Sequence, residues 1–148
     1  MSNVEGINKM KIEKHQRQLL LLLILGINLL ATILHYTDNF IFFDRYPAPV
    51  WMQPHHVYTA WLGLVPFALV GYILYTKRVF RAAYLCLGIF SLTSIGGVGH
   101  YFFGAISTFS PKMHALIWFE ELTGYALISF LIWSGLILKE WRQEKLAG

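Results

Sequence analysis

The side chains of this sequence best suited to chemistry are its histidines, and their positions share a pattern. Five of the six histidines lie near one particular end of a long apolar stretch, and each of the four such stretches has at least one. These five are His35, His55, His56, His100 and His114. The sixth, His15, lies in a basic segment near the N-terminus. If the apolar stretches are antiparallel helices, the five imidazoles meet at one level of a bundle.

Two acidic residues are spaced to join these histidines. Asp38 follows His35 by three residues and Asn39 follows it by four, which places the three on one face of a helix. Glu121 follows His114 by seven residues, again on one face. An ionised side chain inside a bilayer is costly, so such residues usually face the bundle interior and have a partner. We therefore predict catalytic roles for Asp38 and Glu121, and Glu121 is the candidate general base.

Imidazole and carboxylate without thiolate is a donor set typical of Zn, Fe, Cu or Mn. Cys86 is the only cysteine, which excludes a thiolate cage. Of the adjacent pair His55 and His56, at most one points into the bundle, and His56 begins the apolar phase. The predicted metal ligands are His35, His56, His100, His114, Asp38 and Glu121. Such a site, with one coordination position open, predicts a redox or hydrolytic enzyme for a lipid-soluble or periplasmic small substrate.

The third apolar stretch favours a second hypothesis. Gly96, His100 and Gly104 recur every four residues, so glycine flanks the histidine on one helical face. That face would accept a flat ligand such as haem b with His100 as an axial ligand, as in an electron-transfer subunit. Close helix packing through small residues explains the same spacing.

Further hypotheses remain open at the level of sequence. One hypothesis is a non-catalytic lipid- or sterol-binding protein. Another is an accessory subunit of a larger membrane complex or homo-oligomer, with the polar end as its binding surface. Transport is disfavoured because the polar residues occupy one end of the bundle and leave no continuous polar path in a monomer. Pro47, Pro49 and Pro54 stiffen the first outer loop, which either covers the polar end or simply connects two helices.

The composition identifies the scaffold that must position these residues. Hydrophobic residues make up 56% of the 148 residues and charged residues 14%, with a mean hydropathy of +0.51. A soluble domain averages about 25% charged residues. The numbers exclude a soluble domain, a disordered chain and a nucleic-acid-binding protein, despite a pI near 9.3. They predict a polytopic protein of the lipid bilayer.

Four stretches are long enough to cross a bilayer as helices, at about 20 residues each. We predict spans at 18–40, 56–75, 82–105 and 114–138 within a single all-α membrane domain of residues 1–148. Residues 1–17 form a basic arm and residues 139–148 a tail. No small-x-small cleavage site follows the first apolar run, so we expect an uncleaved span rather than a signal peptide. Short connections predict an up-down four-helix bundle.

The basic residues predict the orientation. Ten of the twelve Lys and Arg residues fall in the arm, the second loop and the tail, and only Arg45 and Lys112 fall on the other side. The positive-inside rule then places both termini in the cytoplasm of a cell-membrane protein. The histidines therefore lie at the extracytoplasmic end of the bundle.

Overall fold

The computed structural model describes residues 2–142, with the backbone alone at positions 2–5 and 7–9. Residues 2–142 are all-helical and contain no strand. The long α-helices are α1 (Ser2–Ile41), α2 (Pro54–Thr76), α3 (Phe80–Ile95) and α4 (Pro111–Ile132). Short 3-10 helices cover Phe43–Arg45, Gly97–Phe102 and Ile106–Thr108, and a π-helix covers Trp133–Ile137. The predicted tail beyond residue 142, including Lys145, lies outside the described residues.

Four helical segments are long and apolar enough to span a membrane, which confirms the predicted number of membrane-spanning helices. These are Met10–Ile41, Pro54–Thr76, Phe80–Phe102 and Pro111–Ile137. Large apolar side chains such as Leu23, Leu69, Leu85 and Leu122 are 58–66% exposed on the outside of the bundle. In water this surface would be strongly unfavourable, whereas lipid tails solvate it. The chain is thus a multi-pass helical membrane protein.

The sequence predicts one continuous helix for the third span, but the structure divides this span into an α-helix and a 3-10 helix. Helix α3 ends at Ile95, with Gly96 as its C-cap, and the chain continues as the 3-10 helix Gly97–Phe102. Three glycines among residues 96–99 weaken the α-helical backbone at this point. The narrower 3-10 turn carries the backbone of Gly97 and Val98 towards α4, where the candidate site lies.

Helix packing brings α1 against α2 and α4, and α3 against α2 and α4. Buried apolar side chains fill the centre of the bundle, among them Leu25, Leu87, Phe90 and Leu127. Beside this core, the Asn28 amide nitrogen donates to two hydroxyls. Its partners are Ser94 Oγ at 2.8 Å and Thr123 Oγ1 at 2.9 Å. These bonds tie α1, α3 and α4 together about two turns before His35, so they fix the relative positions of the helices that carry the site.

Candidate functional site

The centre of the candidate site is a buried imidazole–carboxylate pair. His35 Nδ1 on α1 contacts Glu120 Oε2 on α4. His35 is 2% exposed, and Glu120 and Glu121 are 0% exposed. An imidazole nitrogen and a carboxylate oxygen attract each other only through a proton, so the His35–Glu120 pair holds at least one.

Glu121 approaches the same point from the neighbouring side of α4. Its Oε1 accepts a hydrogen bond of 2.9 Å from the backbone N–H of Val98. An ideal Cβ on Gly97 would lie 3.4 Å from Glu121 Oε1 and 3.6 Å from both Glu120 Oε2 and His35 Cε1. The missing side chain of Gly97 therefore leaves a small space around which His35, Glu120 and Glu121 meet.

His100 lies beside this pair, with its ring held by two hydrogen bonds. The ring centroids of His35 and His100 are 5.5 Å apart in an edge-to-face arrangement. His100 Nε2 lies 3.0 Å from the Asn39 amide nitrogen, and Nδ1 lies 3.0 Å from the Pro47 carbonyl oxygen. Both bonds form when Nδ1 carries the proton and Nε2 accepts, which is the tautomer we assign on that basis. Both nitrogens of His100 thus have protein partners.

The Asp38 side chain points towards Tyr46 in the loop between α1 and α2 rather than towards His35. It accepts a 2.8 Å hydrogen bond from Tyr46 and contacts the ammonium group of Lys112. Tyr46 is 3% exposed and packs against the rings of His35 and His100, at centroid distances of 5.8 and 5.2 Å. Burial, followed by the hydrogen bond to Asp38, raises the pKa of Tyr46 above its usual value. Asp38 therefore positions Tyr46 over the site.

The remaining predicted histidines have local partners. His56 Nδ1 accepts from the backbone N–H of Gln53, 3.1 Å away, and so helps to cap α2. His114 Nδ1 lies 2.7 Å from the Tyr101 hydroxyl, and its ring stacks on that tyrosine. His56 also lines the cavity described below, whereas His114 does not line it.

A cavity of about 240 Å³ adjoins the His35–Glu120 pair. Its polar wall comprises His35, Tyr36, Asn39, His56, His100 and Glu120. Ala48, Pro49 and Met52 of the first loop also line it, so this loop lies against the polar end instead of only connecting α1 to α2. Ala60 of α2 and Leu92 of α3 line it as well, and both are exposed on the bundle surface. The cavity therefore borders the face that the bundle presents to lipid.

Several polar atoms of the site are buried without a hydrogen-bond partner. Four such side-chain atoms lie at the site. They are His35 Nε2, Asn39 Oδ1, Glu120 Oε1 and Glu121 Oε2. A buried polar atom without a partner costs about 1–3 kcal/mol, so these four atoms are available to hydrogen-bond a ligand or a water.

The six predicted metal ligands do not form one group, and this part of the prediction is not supported. Among the side chains that the structure describes, no three of His, Cys, Asp or Glu are grouped so as to hold a metal ion. The physical reason is that His100, His114 and Asp38 are engaged by the protein, as described above. Of the two glycines predicted to face haem, Gly96 lines the cavity. Gly104 instead packs against Pro47, since a Cβ there would lie 2.4 Å from the proline Cγ.

Sequence reasoning underestimated three residues. Glu120 pairs with His35, although Glu121 was favoured, because adjacent positions on a helix point in different directions. Tyr46 comes from a loop, where no periodicity indicates what a side chain faces. Asn28, buried in the middle of the first apolar run, is a polar exception that the sequence already shows.

The fold and the site together define a multi-pass helical membrane protein with a buried His–Glu pair. We compared the chain with protein families, with curated proteins and with solved structures, and none of these comparisons finds a match. The function therefore has to be argued from the site itself.

Proposed function

We propose that this chain is a membrane-embedded enzyme that transfers a proton on a lipid-soluble small molecule. His35 and Glu120 are its acid–base pair. The observation that carries the proposal is that this buried pair lies on the wall of a cavity. Each of the two side chains also has one polar atom without a hydrogen-bond partner in the protein. Catalytic acids and bases are often found in such water-poor surroundings next to a second titratable group.

The arrangement can move a proton without any other reactant. The pair shares a proton between His35 Nδ1 and Glu120 Oε2, which leaves His35 Nε2 and Glu120 Oε1 for a bound molecule. One of these atoms takes a proton from carbon or oxygen of that molecule and then returns a proton to it, so the pair ends in the protonation state in which it began. The Asn39 amide oxygen, also unpaired, is placed to hold a hydroxyl or amide of the substrate.

The proposed substrate enters from the bilayer. Leu92 is 61% exposed, and it lines the cavity together with the exposed Ala60, so α2 and α3 bound an opening towards lipid. We further propose that the bundle is up-down, with both termini in the cytoplasm and this site near the extracytoplasmic face. The basic residues of the arm and the second loop support that orientation through the positive-inside rule.

A metal-dependent form of the same enzyme is the second candidate. The observation that favours it is the space beside Gly97, around which His35, Glu120 and Glu121 meet at 3.4–3.6 Å. As placed, these side chains do not form a metal site, so they would have to close on an ion. Haem b and a role as an accessory subunit stay predictions. His100, the predicted axial ligand, has both ring nitrogens on protein partners.

Deuterium exchange tests the proposal without knowledge of the substrate. The purified protein in lipid nanodiscs is incubated with a total membrane-lipid extract in D₂O, and the lipids are analysed by mass spectrometry. We expect at least one lipid-soluble species to gain about one mass unit. General acid–base catalysis contributes about 10²–10⁴ in rate, so Glu120→Gln and His35→Gln should slow the exchange at least about a hundredfold.

Matched controls use the same substitutions away from the site. Glu13→Gln and His55→Gln change exposed residues and should leave the exchange rate unchanged. Exchange that persists in Glu120→Gln would refute the acid–base proposal. Stoichiometric Zn, Fe, Cu or Mn that is lost in His35→Gln would establish the metal-dependent form, and a Soret band would establish haem. Absence of exchange, metal and Soret absorption would leave the accessory-subunit prediction.

A further inference from the structure

A second, larger cavity lies at the opposite end of the bundle from the His35–Glu120 pair. It has a volume of about 590 Å³ and lies between the N-terminal part of α1, the α2–α3 turn and the segment after α4. Its basic lining residues are Lys11, Lys14, Arg17 and Arg78, and its acidic ones are Glu13 and Glu140. Its formal net charge is therefore +2, and none of these residues belongs to the His35–Glu120 site.

Glu140 is neutralised inside the protein and fixes one wall of this cavity. It is 4% exposed, and its Oε1 lies 2.8 Å from Arg17 Nε. Tyr75 donates a 2.7 Å hydrogen bond to its Oε2, and the Ser134 hydroxyl contacts the same oxygen. Because Arg17 offsets Glu140, the excess positive charge of the cavity comes from the other basic residues.

Lys11 and Lys14 carry that excess on one face of α1. They are spaced by three residues, as are Lys14 and Arg17, so the three basic side chains follow one another along one side of the helix. Arg78 reaches the cavity from the α2–α3 turn, where its φ of 66° places the backbone in the left-handed region. Two elements of the fold, α1 and the α2–α3 turn, thus bring positive charge to one concave surface.

The apolar residues of the lining indicate which class of anion this cavity suits. Phe80, Met10 and Leu138 complete the cavity, and Met10 and Leu138 are 65% and 37% exposed. The cavity lies where the apolar part of α1 gives way to its basic part. In a membrane-spanning helix, this transition is expected at the level of the lipid phosphates. A lining that combines basic and apolar side chains suits a phosphodiester with acyl chains attached better than a free phosphate ion.

We propose that this cavity binds the headgroup of an anionic phospholipid from the leaflet on the side of the chain termini. The phosphodiester contacts Lys11, Lys14 and Arg78, and the acyl chains lie along Met10 and Leu138. The proposal is independent of the chemistry at His35, since the two cavities share no residue. A bound anionic lipid would anchor α1 to the α2–α3 turn.

The test compares lipids and variants on the full-length protein. Native mass spectrometry in detergent measures the affinity for phosphatidylglycerol, phosphatidylcholine and inorganic phosphate. We expect phosphatidylglycerol to bind at least about tenfold more tightly than phosphatidylcholine. Each basic residue near a charged membrane surface contributes about 1 kcal/mol, so Lys11→Gln/Lys14→Gln should weaken phosphatidylglycerol binding about thirtyfold.

The control pair Lys77→Gln/Arg142→Gln removes the same charge at the same end of the bundle, outside the cavity lining. It should weaken phosphatidylglycerol binding less than about threefold. Equal losses in the two double variants would overturn the proposal, because the effect would then be one of total charge. Equal binding of the two lipids would also overturn it. Full competition by inorganic phosphate would show that the cavity binds a free anion and not a lipid.

Discussion

Replacing Gly97 with alanine tests whether the chemistry takes place at the point where His35, Glu120 and Glu121 meet. The new methyl group would lie 3.4 Å from Glu121 Oε1 and 3.6 Å from Glu120 Oε2 and His35 Cε1. These distances are ordinary van der Waals contacts, so the helices need not separate. The same distances leave no room for another atom between Gly97 and the three side chains.

Stability and activity should therefore change in opposite directions in Gly97→Ala. The φ of Gly97 is not positive, so alanine adopts its backbone without strain. A compatible Gly→Ala change stabilises a protein by about 0.4–1 kcal/mol through the unfolded state. We expect thermal unfolding in nanodiscs to be unchanged or slightly higher. Displacing a substrate by about 1 Å costs about a hundredfold in rate, and we expect at least that loss in deuterium exchange.

Gly99→Ala is the matched control for Gly97→Ala. Gly99 belongs to the same 3-10 helix and lines the same cavity, but a Cβ on Gly99 would have no atom within 4 Å. It should keep the wild-type exchange rate and show a similar small gain in stability. If Gly97→Ala exchanges as fast as Gly99→Ala, the reacting atom does not lie beside Gly97 and our reading of the site is wrong. If Gly97→Ala unfolds, the glycine serves close packing instead.

Two further predictions concern packing and pH. A Cβ on Gly124 would lie 2.4 Å from Ser94 Cβ, so Gly124→Ala should destabilise the α3–α4 contact by about 1–3 kcal/mol. A Cβ on Gly88 would meet open space, so Gly88→Ala should be neutral or slightly stabilising in the same unfolding assay. The raised pKa of Tyr46, caused first by burial and then by Asp38, stabilises the fold below about pH 10, where the unfolded tyrosine keeps its proton. The free energy of unfolding should therefore fall above about pH 10, and Tyr46→Phe should flatten this fall; an unchanged slope would contradict it.

The spans were predictable because the requirement of the bilayer is simple. A run of about 20 apolar residues has few alternatives to a spanning helix, and all four runs are helices here. The end of α3 at Ile95 was not predicted, since a glycine-rich segment is compatible with either a continued helix or a turn. Its conformation depends on what packs against it, and here Val98 donates to Glu121 on α4.

The position of the site along the bundle was predictable from the sequence, but the contacts between its side chains were not. Helical spacing places His35 and Glu121 at one end of the bundle, and the structure brings both to the space beside Gly97. Which of two adjacent glutamates meets the histidine depends on helix rotation, which the sequence does not specify. Glu120 turns towards His35 on α1, whereas Glu121 turns towards Val98 at the end of α3. Both are buried because α4 packs against both α1 and α3.

Partners that come from loops and chain ends were the least predictable. Asp38 contacts Tyr46 and Lys112, and neither residue shares a helical periodicity with it. Glu140, which the sequence places in a charged tail, is buried against Tyr75 because the π-helix Trp133–Ile137 is followed by a turn back towards the bundle. A pattern within one helix does not describe such contacts, since they depend on how the connections fold over the bundle.

The centre of the bundle favours the proposal of proton exchange over proton transport. On α1, α3 and α4, buried apolar residues separate the polar group around Asn28 from the polar group around Glu140. They include Leu21, Leu25, Leu87, Phe90, Leu127 and Phe130. A dry apolar layer of this kind offers no hydrogen-bonding groups for a proton or an ion to follow. In the proposed function, a proton accepted by the His35–Glu120 pair is expected to leave on the side from which it came. That confinement fits an enzyme that exchanges a proton with a substrate in the bilayer, and it opposes a channel or a pump formed by one chain.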